Sequence, residues 1–129
     1  MTTTTTRLYC LVVDDSLVVR KVARRILNSL KFNVDEAENG QVALDLCGTL
    51  MPDLILLDWN MPVMSGIEFV RAFREKYGAV SAKVIFCTTQ GDVEHIRDAA
   101  AAGANDYIIK PFDAAMLRRK IEAVLGIAA

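Results

Sequence analysis

The stretch Leu54-Ile-Leu-Leu-Asp-Trp-Asn-Met-Pro62 decides the fold. Four consecutive apolar residues end at Asp58, and Pro62 lies in the loop that follows. A short run that is apolar at every position has no face suited to water, which is typical of a strand in a parallel sheet covered by helices on both sides. We therefore expect Leu54 to Leu57 to form such a strand, with Asp58 at its carboxyl end.

Similar apolar runs alternate with amphipathic stretches along the rest of the chain, and they predict strands and helices respectively. The predicted strands are Tyr9 to Val13, Val34 to Ala37, Leu54 to Leu57, Lys83 to Cys87 and Tyr107 to Ile109. The predicted helices are Val19 to Leu30, Gly40 to Thr49, Ile67 to Tyr77, Asp92 to Ala102 and Ala114 to Leu125. Asp15 or Ser16, Asn39 and Asp113 are candidate helix N-caps. Five strands, each followed by a helix, predict an α/β fold with a parallel sheet.

Composition limits the classes of protein to consider. With 129 residues and 53% apolar content, the chain has room for one domain, which we place at residues 7–129 after a threonine-rich, disordered tail at 1–6. Charges balance, with 15 Lys plus Arg against 16 Asp plus Glu, so nucleic-acid binding is not expected. No apolar window is long enough to cross a membrane, and a cytoplasmic protein is predicted. The three cysteines suggest neither a disulfide nor a zinc site.

Reactive or ionic residues follow the apolar runs where four of the five predicted strands end. They are Asp14 and Asp15 after strand one, Asp58 after strand three, Thr88 after strand four and Lys110 after strand five. Each alone has an ordinary explanation as a cap, a turn residue or a surface charge. Together, at the edge of a parallel sheet where ligands bind, three carboxylates would repel one another unless a cation neutralised them.

A hard divalent cation with oxygen ligands, Mg²⁺, suits such acids and completes its shell with phosphate oxygens. Lys110 and Thr88 would supply a cation and a hydrogen-bond donor to a phosphoryl group. A carboxylate can itself be the nucleophile, and Asp58, alone on its strand end, is the best placed. These residue types therefore predict a phosphoryl acceptor with Asp58, Lys110 and Thr88 in the chemical roles.

From about Leu8 to Leu125 the chain resembles the CheY-type receiver domains of response regulators. The resemblance rests on V-V-D-D-S at 12–16, L-L-D-W-N-M-P at 56–62, C-T-T at 87–89 and Y-I-I-K-P-F at 107–112. It implies a flavodoxin-like, doubly wound (βα)5 sandwich whose five parallel strands have the order 2-1-3-4-5. It also implies a phosphoacceptor signalling protein that catalyses its own phosphorylation and slow dephosphorylation, and not an enzyme with an external substrate.

The resemblance assigns roles within the predicted site. Asp58 would be the phosphoryl acceptor and a Mg²⁺ ligand, Asp15 a direct ligand, Asp14 a ligand largely through water, and Asn60 a ligand through its backbone carbonyl. Lys110 would contact the phosphoryl group, and its bond to Pro111 would be cis.

The resemblance also implies how the signal arrives and leaves. A sensor histidine kinase or a histidine phosphotransfer protein would be the donor. Thr88 would bond the attached phosphoryl group and Tyr107 would turn inward behind it, changing the face made by helix four, strand five and helix five. Asn60 and Gln90 would tune loss of the phosphoryl group to water, giving a lifetime of seconds to minutes. His95, on helix four, is expected to be solvated.

The sequences of these motifs most resemble those of the chemotaxis branch, whose members signal by binding to the flagellar motor switch. Lys120 matches the basic position of that branch on helix five. The branch often carries lysines at the start of helix four, where this chain has Asp92 and Val93. A phosphate sink and a cell-cycle or stress regulator remain open, as does a degenerate receiver that binds partners without phosphorylation.

Two other classes are disfavoured by the residues after strand one. A flavin carrier would need a loop rich in glycine and hydroxyl groups there, and Asp14 and Asp15 would repel the flavin's phosphate. A hydrolase of the haloacid-dehalogenase type usually places its nucleophile there as D-x-D under a lid, and this chain has adjacent aspartates and no insertion long enough for a lid.

Overall fold

The computed structural model describes residues 7–78, 81–89, 91 and 93–127. In these residues five strands alternate with five helices, as the sequence predicts: β1 Tyr9–Val13, α1 Leu17–Ser29, β2 Asn33–Ala37, α2 Gly40–Thr49, β3 Leu54–Asp58, α3 Gly66–Tyr77, β4 Lys83–Thr88, α4 Val93–Ala102, β5 Asp106–Ile109 and α5 Ala114–Leu125. All neighbouring strands are parallel, and their order is β2-β1-β3-β4-β5. The predicted α/β, flavodoxin-like fold and strand order are confirmed.

The alternation of side chains along each strand divides the core into two layers. In β1, Leu11 and Val13 belong to a cluster with buried residues of α2, α3 and α4. Cys10 and Val12 point to the opposite face and pack with buried residues of α1 and α5. Because both faces are covered, β1 and β3 are buried along their whole length, which is why their sequences are apolar at successive positions.

The edge strand β2 departs from this pattern. Its residues Asn33 and Asp35 are exposed and only Ala37 is fully buried, so the expectation that the strands have no wet face is wrong for β2. The physical reason is its position, because an edge strand has a neighbour on one side only. Its polar composition is therefore consistent with the fold.

Polar caps fix where the helices begin, and so shape the loops at the carboxyl edge of the sheet. Ser16 accepts a hydrogen bond from the Val19 backbone N–H and caps α1, which settles the choice between Asp15 and Ser16. Ser65 and Glu68 form a reciprocal capping box at the start of α3. As a result, α1 follows β1 after a loop of three residues that contains Asp14 and Asp15, and α3 follows β3, which ends at Asp58, after a loop of seven residues.

Some predictions concern residues outside the described ranges. They are the disordered tail at 1–6, the start of helix four at Asp92, and the role given to Gln90. Among the described helices, none combines the length and the apolar character needed to cross a bilayer.

Candidate functional site

Three aspartates meet at the carboxyl edge of the sheet. Val13 and Leu57 are partners in the β1–β3 register, so the residues that follow them, Asp14 and Asp58, lie side by side. Among the described residues, one carboxylate oxygen from each of Asp14, Asp15 and Asp58 lies within 4.8 Å of the other two. Asp14 and Asp58 are 3% and 8% exposed, whereas Asp15 faces solvent. The acids predicted to form one site are thus brought together.

Lys110 reaches across the sheet edge to two of these acids. Its Nζ donates to Oδ1 of Asp58 at 2.9 Å and to Oδ2 of Asp14 at 3.0 Å. The other carboxylate oxygen of Asp14 accepts from the backbone N–H of Ser16 at 2.9 Å. The Lys110–Pro111 peptide bond is cis, as the family resemblance implied.

The electrostatics of the site follow from this crowding. Burial raises the pKa of the Asp58 carboxyl, and the nearby charges of Asp14 and Asp15 add to the effect, although the hydrogen bond from Lys110 opposes it. Burial by itself would lower the pKa of Lys110, but its hydrogen bonds to Asp58 and Asp14 outweigh that and raise it. Lys110 therefore stays charged, and it offsets only part of the excess negative charge.

The acidic cluster fits a hard divalent cation. Mg²⁺ holds oxygen ligands at about 2.0–2.1 Å, so ligands on opposite sides of one ion are about 4 Å apart. The three carboxylate oxygens, within 4.8 Å of one another, can therefore approach one ion with small movements. Asp14, Asp15 and Asp58 are all oxygen donors, and one face of the cluster is open to solvent at Asp15, which leaves room for water or phosphate oxygens.

Two neighbouring loops complete the edge. Thr88 ends β4 and is 6% exposed, and its carbonyl accepts from the backbone N–H of Lys110 at 2.8 Å. Behind Asp58, the Trp59 carbonyl accepts from the N–H of Gly66 at 3.0 Å. A Cβ added to Gly66 would lie 2.4 Å from the Asp58 carbonyl oxygen, so only glycine fits there, and sequence reasoning had missed this residue.

Asn60 lies on the exposed loop between β3 and α3, two residues beyond Asp58. Its predicted roles as a carbonyl ligand and as a residue that tunes dephosphorylation stay predictions. Gln90, given the second role as well, lies outside the described residues.

Comparison with known proteins identifies the family. A family model described as the response regulator receiver domain matches residues 10–122, most of the chain. The chain belongs to the response regulator receiver family. The receiver is 37% identical, over 115 residues, to the chemotaxis protein CheY of Pseudomonas aeruginosa, a match that covers 88% of this chain and 93% of that protein.

Two proteins of Vibrio cholerae support the same assignment. The receiver is 36% identical over 115 residues to the chemotaxis protein CheY-3, with 88% of each chain covered. Its structure resembles that of the chemotaxis response regulator CheY4 with a TM-score of 0.88 and 32% identity, over 93% of this chain and 100% of that one. The receiver is thus CheY-like over nearly its whole described length.

Tyr107, the residue predicted to act as the switch, is half-buried on β5. The ammonium of Lys120 lies 4.5 Å from the centre of the Tyr107 ring and 3.0 Å from Oδ1 of Asp106. This places a cation of α5 against the ring, an arrangement that contributes about 0.5–1 kcal/mol at exposed sites. The sequence indicated Lys120 only as a basic position of helix five.

His95 was predicted to be a solvated side chain, but its ring lies against another aromatic side chain. It is half-buried, and its ring centre lies 4.6 Å from that of Trp59, the residue that follows Asp58. Trp59 also contacts the buried Phe86, with ring centres 4.8 Å apart. The prediction was wrong because the helical pattern of α4 does not show that α4 crosses the loop after β3.

Proposed function

We propose that this receiver takes a phosphoryl group on Asp58 in a reaction that requires a divalent cation, Mg²⁺, and signals by changing a protein-binding surface. The observation that carries the proposal is the cluster itself. A nearly buried carboxylate ends β3 beside two further acids, with the ammonium of Lys110 at 2.9 Å. Membership of the receiver family supports the same conclusion.

In the proposed reaction a carboxylate oxygen of Asp58 attacks the phosphorus of a phosphohistidine. The new O–P bond forms, the P–N bond of the donor breaks, and the electron pair leaves with the imidazole, which takes a proton. Lys110 stabilises negative charge on the transferring oxygens, and the hydroxyl of Thr88 donates to them after transfer. A cation held by Asp14, Asp15 and the Asn60 carbonyl would neutralise charge among the acids and on the phosphoryl group.

The proposed donor is a sensor histidine kinase or a histidine phosphotransfer protein. An apolar surface suited to such a partner borders the site. Leu17, Val18 and Val22 of α1 are 55%, 70% and 49% exposed, and Val18 and Val22 line a groove of about 370 Å³ that continues to Lys110 and Phe112. Isolated exposed apolar residues are normal, but a cluster beside the site supports docking of a partner there.

The proposed output surface consists of α4, β5 and α5. It includes Tyr107 and a groove of about 430 Å³ that Met116, Arg119 and Lys120 also line. Phosphorylation would draw Thr88 toward the phosphoryl group and let Tyr107 turn inward, which shifts a two-state equilibrium of this face. Asn60 and Gln90 would set the lifetime of the phosphorylated state by orienting water.

The decisive experiment is intact mass after incubation with acetyl phosphate, with and without Mg²⁺. We expect a gain of one phosphoryl group in the wild type only when Mg²⁺ is present, and none in Asp58→Asn. Asp45→Asn is the matched control, because Asp45 is an exposed acid of α2 away from the cluster. If a folded wild type gains no mass, the unphosphorylated interaction module becomes the preferred function.

A chemotaxis role is the proposed pathway because the relatives that match are chemotaxis proteins by name. We expect the receiver activated with beryllofluoride to bind the flagellar motor switch protein of its own organism more tightly than the unactivated receiver. A receiver that is phosphorylated rapidly and yet shows equal, weak binding in both states would instead be a phosphate sink or a regulator with another partner.

A further inference from the structure

A chain of ion pairs lies behind the acidic cluster, on the side of the edge strand β2. Arg20 of α1 donates from Nε to Oε1 of Glu36 at 3.0 Å, and Arg24 donates from Nε to Oε2 of the same carboxylate at 2.6 Å. Burial alone would raise the pKa of Glu36, but the hydrogen bonds from Arg24 and Arg20 outweigh it and lower the pKa. Glu36 is therefore ionised at neutral pH and holds both guanidinium groups.

Only Arg20 continues this chain into the site. Its Nη1 donates to the backbone carbonyl of Asp14 at 2.7 Å, and its side chain is 14% exposed. Arg24 has a side chain that is 38% exposed, and it has no such contact with Asp14 among the described interactions. The two arginines thus carry the same charge and share one partner, but they differ in whether they touch a residue of the cluster.

The contact falls on the peptide group that joins Asp14 to Asp15. On the other side of Asp14, its backbone N–H donates to the carbonyl of Ala37 at 3.1 Å, so the main chain of Asp14 is held by β2 before the residue and by Arg20 after it. The orientation of that peptide plane constrains the backbone torsions on either side of it, and with them the directions in which the two Cβ atoms leave the backbone. Holding its carbonyl therefore restricts how far the two aspartate side chains can move apart.

We propose that Arg20, oriented by Glu36, is a positioning residue that sets the geometry of Asp14 and Asp15 for binding a divalent cation. The inference rests on the cation site of the proposed function, which it deepens. The positioning by Arg20 and the positive charge of Arg20 should have opposite effects on the affinity for the cation. Arg20 is a cation near a cation site, so removing its charge should strengthen metal binding if electrostatics alone mattered. Loss of positioning should weaken it, because partners that orient metal ligands are worth about 10–100-fold in affinity.

The test measures the dissociation constant of Mg²⁺ for the full chain by calorimetry and by the fluorescence of Trp59, the one tryptophan of the sequence. We compare Arg20→Met with Arg24→Met, which removes an equal charge and the other ion pair to Glu36. We expect Arg20→Met to bind Mg²⁺ about tenfold more weakly, and Arg24→Met to stay within about twofold of the wild type. Arg20→Lys should recover part of the loss, because its ammonium can still donate to the Asp14 carbonyl.

Thermal unfolding without metal separates positioning from general damage. Because Arg20 is more buried and makes one more hydrogen bond, we expect Arg20→Met to lose more stability than Arg24→Met, with both variants fully folded at the temperature of the binding measurement. If Arg20→Met does not fold, Arg20→Lys is compared with Arg24→Lys, which leaves the charge unchanged at both positions, and we expect Arg20→Lys to bind Mg²⁺ several-fold more weakly. Equal or tighter binding by Arg20→Met, or an equal loss in Arg24→Met, would overturn the positioning role and leave the proposed function intact. A wild type that binds no Mg²⁺ would overturn both.

Discussion

Gly66→Ala tests whether the backbone behind Asp58 is as closely packed as the geometry requires. The added Cβ would lie 2.4 Å from the Asp58 carbonyl oxygen and 2.6 Å from Cε1 of Phe86, whereas ordinary contact begins at 3.4 Å. The groups must separate by about 1 Å, and such overpacking costs about 1–3 kcal/mol. For a chain of this size the melting temperature should fall by about 3–10 °C. Because the backbone of Asp58, the proposed acceptor, is displaced, phosphorylation by acetyl phosphate should slow, by up to about 100-fold.

Gly40→Ala is the matched control, because Gly40 begins α2 as Gly66 begins α3. The three atoms nearest to its added Cβ would be Sδ, Cβ and Cγ of Met64, at 2.9–3.0 Å; Sδ and Cγ can move by a change of rotamer, and Cβ must shift by a few tenths of an ångström. We therefore expect Gly40→Ala to lower the melting temperature less than Gly66→Ala does and to keep the initial rate of mass gain of the wild type. A Gly66→Ala variant that is equal to Gly40→Ala in both measurements would refute the steric argument.

Three further predictions concern stability and the switch. Val63 is exposed and has a backbone φ of 71°, a left-handed conformation in which a β-branched residue carries about 1–2 kcal/mol of strain. Val63→Gly should therefore raise the urea concentration at the midpoint of unfolding. An unchanged or lower midpoint would contradict this. Because burial raises the pKa of Asp58, its charge destabilises the metal-free fold above the unfolded-state pKa of about 3.9. Asp58→Asn in EDTA should therefore be more stable than the wild type at pH 7, by a margin that shrinks as the pH falls toward 4, and a less stable variant at pH 7 would count against the argument. Lys120→Met removes the cation beside Tyr107 and should increase the inward ring population about 2–5-fold in NMR spectra of the unphosphorylated chain, whereas unchanged ring signals would show that Lys120 does not hold the ring.

The sequence could predict those parts of the site in which a local pattern determines where a residue lies in the fold. The apolar run before Asp58 must be a covered strand, and the carboxyl ends of parallel strands share one edge of the sheet. These two facts bring Asp14, Asp58 and Lys110 together without any knowledge of the loops. The caps at Asn39 and Asp113 followed from the same kind of local chemistry, and both were confirmed.

The parts that sequence could not predict depend on how elements cross. The contact between the rings of His95 and Trp59 requires α4 to lie over the β3–α3 loop, and nothing in either segment encodes that approach. A helical pattern can place Arg20 on the polar face of α1, but it cannot show that the Arg20 guanidinium reaches the Asp14 carbonyl. The need for glycine at position 66 likewise appears only when the distance to another backbone is known.

The two hydrogen bonds of Lys110 explain how one ammonium can serve both the resting site and the proposed phosphorylated site. It donates to one oxygen of Asp58 and one of Asp14, two of the acids that would hold the divalent cation of the proposed function. An ion bound there would take over the neutralisation of these acids, and the ammonium would then have donors free for phosphoryl oxygens a short distance away. Under the proposed function Lys110 would therefore need little movement between the two states. It would compete with the cation before phosphoryl transfer and act with it afterwards.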